Sequence, residues 1–583
     1  MCFQEVGFRV KKLMKYVRPY LFWTLISPAF MILEVTMDLF QPQLMSKIID
    51  VGVKNGDNPY IIKTCVLMFV VALIGVIGGV GNMIFSTKAS YGFAKDLRSA
   101  VYRRIQGFSF ANIDSFKTGS LVTRITNDIT QIQNAFSTCI RMLVRAPFMF
   151  IGGVVMVLTI NFRLSLVVLA AIPLLAIMVV VLLKKGRPLF NGMQQKMDRV
   201  NTVMQENLAG IRVIKAFGRA EHEEQKFKKA NDDLCNASMK AMIVLSLSFP
   251  LINLIMNGTM ILMYVIGGKM VFAGNLQAGE IMAFSNYIIQ ILMSLTMSSF
   301  MLMFLSRAGV SISRVNEVLD TVPDVGDGED SLAEVKNGGV EFKNVSFRYP
   351  GASGDVLHDI SFTAKPGETV AILGATGSGK SSLVNLIPRL YDVSAGEVLV
   401  DGVNVKNYKL RSLRSKIGVA LQESVLFTGT IDENLHWGNM QADDAVIKEA
   451  AEIAQADPFV GKLENGYETV LGQRGVNLSG GQKQRLCIAR ALVKHPRILI
   501  LDDSTSAVDL STEAKIQQGL RNVFGDMTVF IIAQRISSVM DADKILVLEN
   551  GRIVDSGTHN ELKSRCSVYR EIVVSQLGEE AVD

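Results

Sequence analysis

Gly374-Ala375-Thr376-Gly377-Ser378-Gly379-Lys380-Ser381 is the stretch on which the reading of this chain turns. An apolar run, Thr369–Leu373, precedes it and a helix-permissive segment, residues 382–390, follows. Strand, glycine-rich loop, Lys-Ser and helix together make a phosphate-binding loop. Residues without side chains let backbone N–H groups wrap a phosphate chain, and the helix N-terminus adds the positive end of its dipole. Lys380 is placed to reach the β- and γ-phosphates, and the Ser381 hydroxyl to ligate Mg²⁺. Gly374, Thr376, Gly377, Ser378, Gly379 and Ser382 complete the cradle. A Gly/Ser-rich surface turn, the alternative, leaves the flanking strand and helix unexplained. The loop implies a bound nucleotide.

At 583 residues the chain is too long for one hydrophobic core. Its 49% hydrophobic and 20% charged residues, with a mean hydropathy of +0.30, indicate a membrane protein. The apolar content is concentrated before residue 305, where several windows are long enough to cross ~30 Å of hydrocarbon. The net charge of +6 is explained by basic cytoplasmic loops, without nucleic acid as a partner. Six cysteines without CxxC spacing and five dispersed histidines argue against a disulfide framework or a His/Cys metal site. Residues 8–18 read as a basic amphipathic helix on the cytoplasmic membrane face. No small-residue cleavage site follows the first apolar run, which is therefore an anchor, not a removable signal.

Six spans are expected at residues 20–45, 65–85, 140–160, 164–183, 241–272 and 281–305. Arg141 and Arg145 begin the third, and a helix extending into the cytoplasm would put both at or beyond the interface. Short turns join spans three to four and five to six. By contrast, residues 86–139 and 184–240 are long, charged and basic near their membrane exits, so both loops and both termini belong in the cytoplasm. Near its middle each loop breaks helical pattern, at residues 114–119 and 207–217, as a short transverse helix at a hairpin tip would. Glu34 and Asp38, four apart in the first span, share a helix face. A carboxylate at bilayer depth costs at least ~2.5 kcal/mol, so the pair faces a cavity suited to a cationic or polar passenger, makes a polar contact between helices, or lies near the outer interface, since Pro42 and Lys47 follow soon. Met282, Met293, Met297, Met301 and Met303 in the last span suit either a tolerant binding surface or ordinary packing.

After residue 320 the chain loses helical periodicity and turns acidic, which marks residues 321–337 as a linker between a membrane domain, 1–320, and a second domain, 338–583. Beyond Val340 short β-branched strands alternate with helical stretches, the pattern of an α/β domain with a largely parallel sheet. Tyr349 stands upstream of the phosphate loop, where its ring could stack on adenine. Gln422 follows in Val419-Ala420-Leu421-Gln422-Glu423. Then come Leu478-Ser479-Gly480-Gly481-Gln482, the strand Ile498–Asp502, Ser506-Ala507-Val508-Asp509 and Ala533-Gln534-Arg535. This ordered set resembles the ATP-binding cassette, and with six spans fused ahead of it the chain resembles an ABC exporter half-transporter. The implied fold is an all-α six-helix transmembrane domain plus an α/β P-loop ATP-binding cassette. The implied cofactors are ATP and Mg²⁺. The implied partners are a second ABC half-transporter, membrane lipid and a small-molecule substrate. In the family Asp502 holds Mg²⁺ through water, Gln422 links the γ-phosphate and Mg²⁺ to the transverse helices, and Ser479, Gly480, Gly481 and Gln482 complete the site on the opposite cassette.

Two positions depart from the family pattern. Glutamate normally follows the Walker B aspartate; here Asp503 withdraws the carboxylate by about one bond length, about 1.5 Å. The family's switch histidine is Gln534, which donates a hydrogen bond but cannot carry a proton. The pair resembles the degenerate-site subunit of bacterial heterodimeric multidrug exporters. That resemblance implies a slow ATP site here and a competent one on a partner with Glu and His at these positions, exporting amphipathic drug-like compounds across the cell membrane. An ATP-gated channel or regulator, and a homodimeric lipid or peptide exporter, remain alternatives.

Overall fold

The computed structural model describes residues 12–327, 334–523 and 525–579. Of the expected N-terminal helix, residues 12–17 are helical, and its first four positions lie outside the described residues, as does part of the linker. The chain divides into two compact units. One takes the chain up to Ile105 together with Ser120–Asp320; the other takes Gln106–Gly119 together with Thr321–Asp583.

The first unit is helical. Long helices run over Leu21–Lys47 (α1) and Asn58–Gln106 (α2), and the second unit's Phe110–Phe116 (α3) interrupts the series. There follow Ile129–Ile160 (α4), Phe162–Ala209 (α5), the short Ile211–Ala216 (α6), Ala220–Phe272 (α7) and Ala278–Asp320 (α8). Among the described residues six helices are long and apolar enough to cross a membrane, one for each expected span. They stay helical across internal prolines at 28, 42, 147, 173, 188 and 250. Small residues set the closest approach of α1 and α2: a Cβ on Gly78 would lie 2.9 Å from the Glu34 backbone nitrogen. Two deep polar groups are paired, as hydrocarbon favours: Ser27 Oγ donates to Asn82 Oδ1 at 2.6 Å, and Tyr287 Oη to the Leu39 carbonyl at 2.6 Å.

Two π-helical turns lie in this unit, Ile48–Val53 and Arg124–Asp128, and both bond to α8. Asp50 Oδ1 accepts from the Gly279 amide at 2.6 Å. A side chain at Gly279 would collide with Asp50 Oδ2 at 2.6 Å and with the Ser46 carbonyl at 2.5 Å. Toward the other end of α8, Ser311 donates to Asp128 at 2.8 Å and Arg124 pairs with Glu317 at 2.8 Å.

In the second unit the six-stranded sheet has the order β12-β11-β3-β10-β9-β6. Its members are β3 (Thr369–Leu373), β6 (Ile417–Ala420), β9 (Ile498–Asp502), β10 (Thr528–Ile532), β11 (Lys544–Glu549) and β12 (Arg552–Gly557). All pair in parallel except β12. β9 and β10 are buried along their whole length, as strands covered on both faces must be. The expected parallel sheet is therefore present. Beside it stands an antiparallel sheet of order β2-β1-β4-β5, built on β1 (Val340–Phe347), β2 (Leu357–Ala364), β4 (Ala395–Val400) and β5 (Val403–Asn404). Val340, Phe342, Val345 and Phe347 of β1 face inward, the half-buried pattern of an antiparallel strand.

Candidate nucleotide site and membrane cavity

β3 ends at the phosphate loop, and α9 (Lys380–Leu386) begins where the loop closes. Gly377 and Gly379 take φ of +85° and +99°, the left-handed region that glycine enters without a Cβ penalty. A side chain at Gly379 would also meet Leu357 Cδ2 at 2.8 Å. The Lys380 ammonium rests on the carbonyls of Gly374 and Ala375, 2.8 Å from each. Ser381 Oγ donates to Asp502 Oδ1 at 3.0 Å. Ser378 Oγ is buried without a hydrogen-bond partner. An orphaned hydroxyl, a cation held by loop carbonyls and a Ser–Asp pair make a donor set that fits a triphosphate with a hard divalent cation.

Asp503 leaves the end of β9 at φ +47°, a conformation that aspartate tolerates better than most residues. Its Oδ2 accepts from Gln534 Nε2 at 2.8 Å and, at 3.5 Å, from Gln422 Nε2. The loop thus meets the strand end at Asp502, and both glutamines meet it at Asp503. Burial raises the pKa of Asp502; the Ser381 bond opposes the rise and the Asp503 charge adds to it. Burial also raises Asp503, against the bonds from Gln422 and Gln534 and the Lys380 charge. Lys380 is lowered by burial, which the charges of Asp503 and Asp502 oppose.

Tyr349 packs edge-on against Phe347 and Tyr391, with centroids 4.8 and 5.2 Å away, and its hydroxyl lies 2.9 Å from Ser382 Oγ. Ser479 caps helix α10 (Gly480–Leu492) in a reciprocal box: it accepts from the Gln482 amide and donates its own amide to Gln482 Oε1 at 2.9 Å. A Cβ on Gly481 would strike the Ala507 carbonyl at 2.6 Å, so glycine lets this turn seat on residues 506–509.

Sequence reasoning missed several groups here. Gln484 accepts from the Ala507 amide at 2.9 Å and donates to Ser506 Oγ at 3.1 Å, tying α10 to the Ser506–Asp509 stretch. Gln576 brackets the Gln534 segment, donating to the Gln534 carbonyl at 2.7 Å and accepting from the Ile536 amide at 2.8 Å. Tyr391 donates to Asp114 Oδ2 at 2.7 Å, and Asn112 Nδ2 to Asp324 at 3.2 Å. These bonds, with buried Ala111, hold α3 in the second unit. The signal for them was faint: single polar residues whose partners lie far away in sequence.

In the membrane unit Arg145, expected at or beyond the interface, pairs with the two acids of the first span. It reaches from α4 to Glu34 and, at 3.3 Å, to Asp38 of α1. An arginine among apolar residues is retained at depth because two carboxylates share it. A cavity of about 440 Å³ opens beside the same two acids, so both the contact between helices and the cavity are present. The side chains of Met301 and Met303 lie outside the described residues; Met282 and Met293 are exposed.

Residues 24–295 match the ABC transporter transmembrane region and residues 357–506 the ABC transporter ATP-binding domain. The chain is 41% identical over 571 residues to the ABC transporter ATP-binding protein YfiB of Bacillus subtilis, covering 98% of this chain and 99% of that one. It is 37% identical over 477 residues to a fatty acid ABC transporter ATP-binding/permease protein of Mycobacterium bovis, covering 82% and 75%. With the putative multidrug export protein YgaD of B. subtilis it shares 32% identity over 97% and 99%. An ATP-bound bacterial Atm1-family ABC exporter superposes with a TM-score of 0.80 at 27% identity, covering 97% of this chain and all of that one. This chain belongs to the ABC transporters. It is a half-transporter of exporter architecture, an ATPase coupled to transport that spans the membrane several times and functions as a dimer.

Proposed function

We propose that the chain is the degenerate-site half of a heterodimeric exporter of amphipathic drug-like compounds. The observation that carries this reading is the 2.8 Å bond from Gln534 to Asp503. The position that should polarise water is occupied by a shortened carboxylate, tethered by an amide that cannot relay a proton. Displacing a catalytic group by about 1 Å costs up to ~10²-fold in rate. The loop that binds phosphate has no corresponding defect.

When ATP binds, the Lys380 ammonium exchanges two backbone carbonyls for phosphate oxygens, and the Ser378 hydroxyl gains an acceptor. Ser381, Asp502 and Gln422 would hold Mg²⁺, partly through water, and would thereby place its positive charge against the phosphates. Tyr349 offers its ring to the adenine. Ser479, Gly480, Gly481 and Gln482 face the partner's nucleotide, so each site needs both chains. Closure of the cassettes reaches the spans through α3, fastened to the cassette by Tyr391 and Asp114, and biases them outward. Hydrolysis at the partner's site resets them. In this reading the cassette and both termini are cytoplasmic, in a bacterial cell membrane.

Reconstitution tests the proposal. Alone in proteoliposomes, the chain should hydrolyse ATP slowly and move no substrate. Joined by a half-transporter with Glu and His at the two altered positions, it should transport with at least about tenfold faster turnover. Full transport by this chain alone would refute the heterodimer, and brisk partner-site hydrolysis without movement of any compound would refute export.

A further inference from the structure

The cavity in the membrane unit has a chemistry that the nucleotide cycle does not use. Its volume of about 440 Å³ lies within the usual range for small-molecule sites, about 300–1,000 Å³. Met37, Val71 and Val76 supply apolar wall, and Glu34, Asp38 and Gln41 the polar wall. Gln41 donates one Nε2 hydrogen to the Met68 carbonyl at 3.2 Å, which leaves its oxygen and its second N–H to offer. Gly79 leaves room for the Glu34 carboxyl, which a Cβ there would meet at 3.3 Å.

Charge decides the occupant. Among the described residues Glu34 and Asp38 share a single guanidinium, that of Arg145, and no lysine or arginine lines the cavity. With both carboxylates ionised, one cation leaves a net negative charge, which within a bilayer costs at least ~2.5 kcal/mol unless it is matched. Asp38 is the more accessible acid, its side chain 39% exposed against 17% for Glu34. We infer that the cavity binds an organic monocation with an apolar body, its charge seated at Asp38 and Glu34. An anion would face two carboxylates, and a neutral molecule would leave the charge unmatched. That this ligand is a transported substrate rests on the export reading; that it binds does not.

The test uses the full-length chain in lipid nanodiscs without nucleotide, probed by equilibrium dialysis with empty nanodiscs subtracted. Tetraphenylphosphonium and tetraphenylborate have nearly the same shape and opposite charge. Saturable phosphonium binding at least about tenfold tighter than borate binding is expected, lost in Asp38→Asn and kept in Asp38→Glu. Equal affinities, tighter borate binding, or a preference that survives Asp38→Asn would overturn the inference. A photoactivatable phosphonium on the unmodified chain gives a check independent of variant folding: labelling of α1 and α2 supports the site, and labelling confined to other helices rejects it. Because binding is read without ATP, absent transport with intact phosphonium binding would sink the export reading alone. Export of other compounds without charge-selective binding would sink this inference alone.

Discussion

At the loop end of the nucleotide site, Lys380 lies on two carbonyls and Ser381 on Asp502. Phosphate and a cation would replace each of those contacts with a stronger one. At the strand end, Asp503 is held by Gln534 and at longer range by Gln422. Neither amide can accept the proton that a hydrolytic water must give up. Binding and water activation depend on different atoms, so the second can weaken while the first is kept. On the proposed reading, a cassette altered only at the strand end would still grip nucleotide and still present Ser479 to its partner.

The largest effect expected is from Lys380→Ala, which attacks the end held to be intact. Removing the charged partner of the phosphates should cost about 2–5 kcal/mol, seen as a loss of ATP affinity of about 30-fold or more in equilibrium binding. Unchanged affinity would mean that the loop is not the gripping element. Next comes Asp503→Glu combined with Gln534→His, which rebuilds the strand end. Site-resolved hydrolysis should rise by up to ~10²-fold, with ATP affinity little altered. No rise would remove these two residues as the cause of slow turnover.

Gln534→Ala sharpens the contrast more finely, by freeing Asp503 without supplying a base. Hydrolysis should change by less than about tenfold in single-turnover assays; full recovery would show that the tether alone had been inhibitory. The smallest effect concerns pH. Burial raises Asp502 and Asp503, so each binds its proton more tightly in the folded chain than in the unfolded one. Their contribution favours the fold below the raised values and is lost as pH rises through them. At neutral pH the two like charges oppose each other, partly screened by solvent. Asp503→Asn should therefore raise the ligand-free Tm by at most about 2 °C at neutral pH. The gain should shrink as pH falls into the carboxylate range, a trend that calorimetry across pH would follow.

The spans and the phosphate loop were legible because each is written in adjacent residues: an apolar run and a glycine spacing. What the sequence hid depends on distant partners. Arg145 read as an interfacial charge because Glu34 and Asp38 lie more than a hundred residues earlier and reveal themselves only when α1 meets α4. The grouping of α3 with the cassette depends on Tyr391 and Asp114, 277 positions apart. The antiparallel sheet beside the parallel one was likewise unread: β1 alternates inward and outward residues, but which strands it joins is a matter of topology.

Near both ends α8 is fastened to a π-helical turn: to Asp50 at its first residues, to Arg124 and Asp128 near its last. A π-turn carries one residue more than an α-turn, and such turns mark places where winding is easily altered. The fastenings near both ends of this rod therefore sit on segments where the winding departs from that of an α-helix.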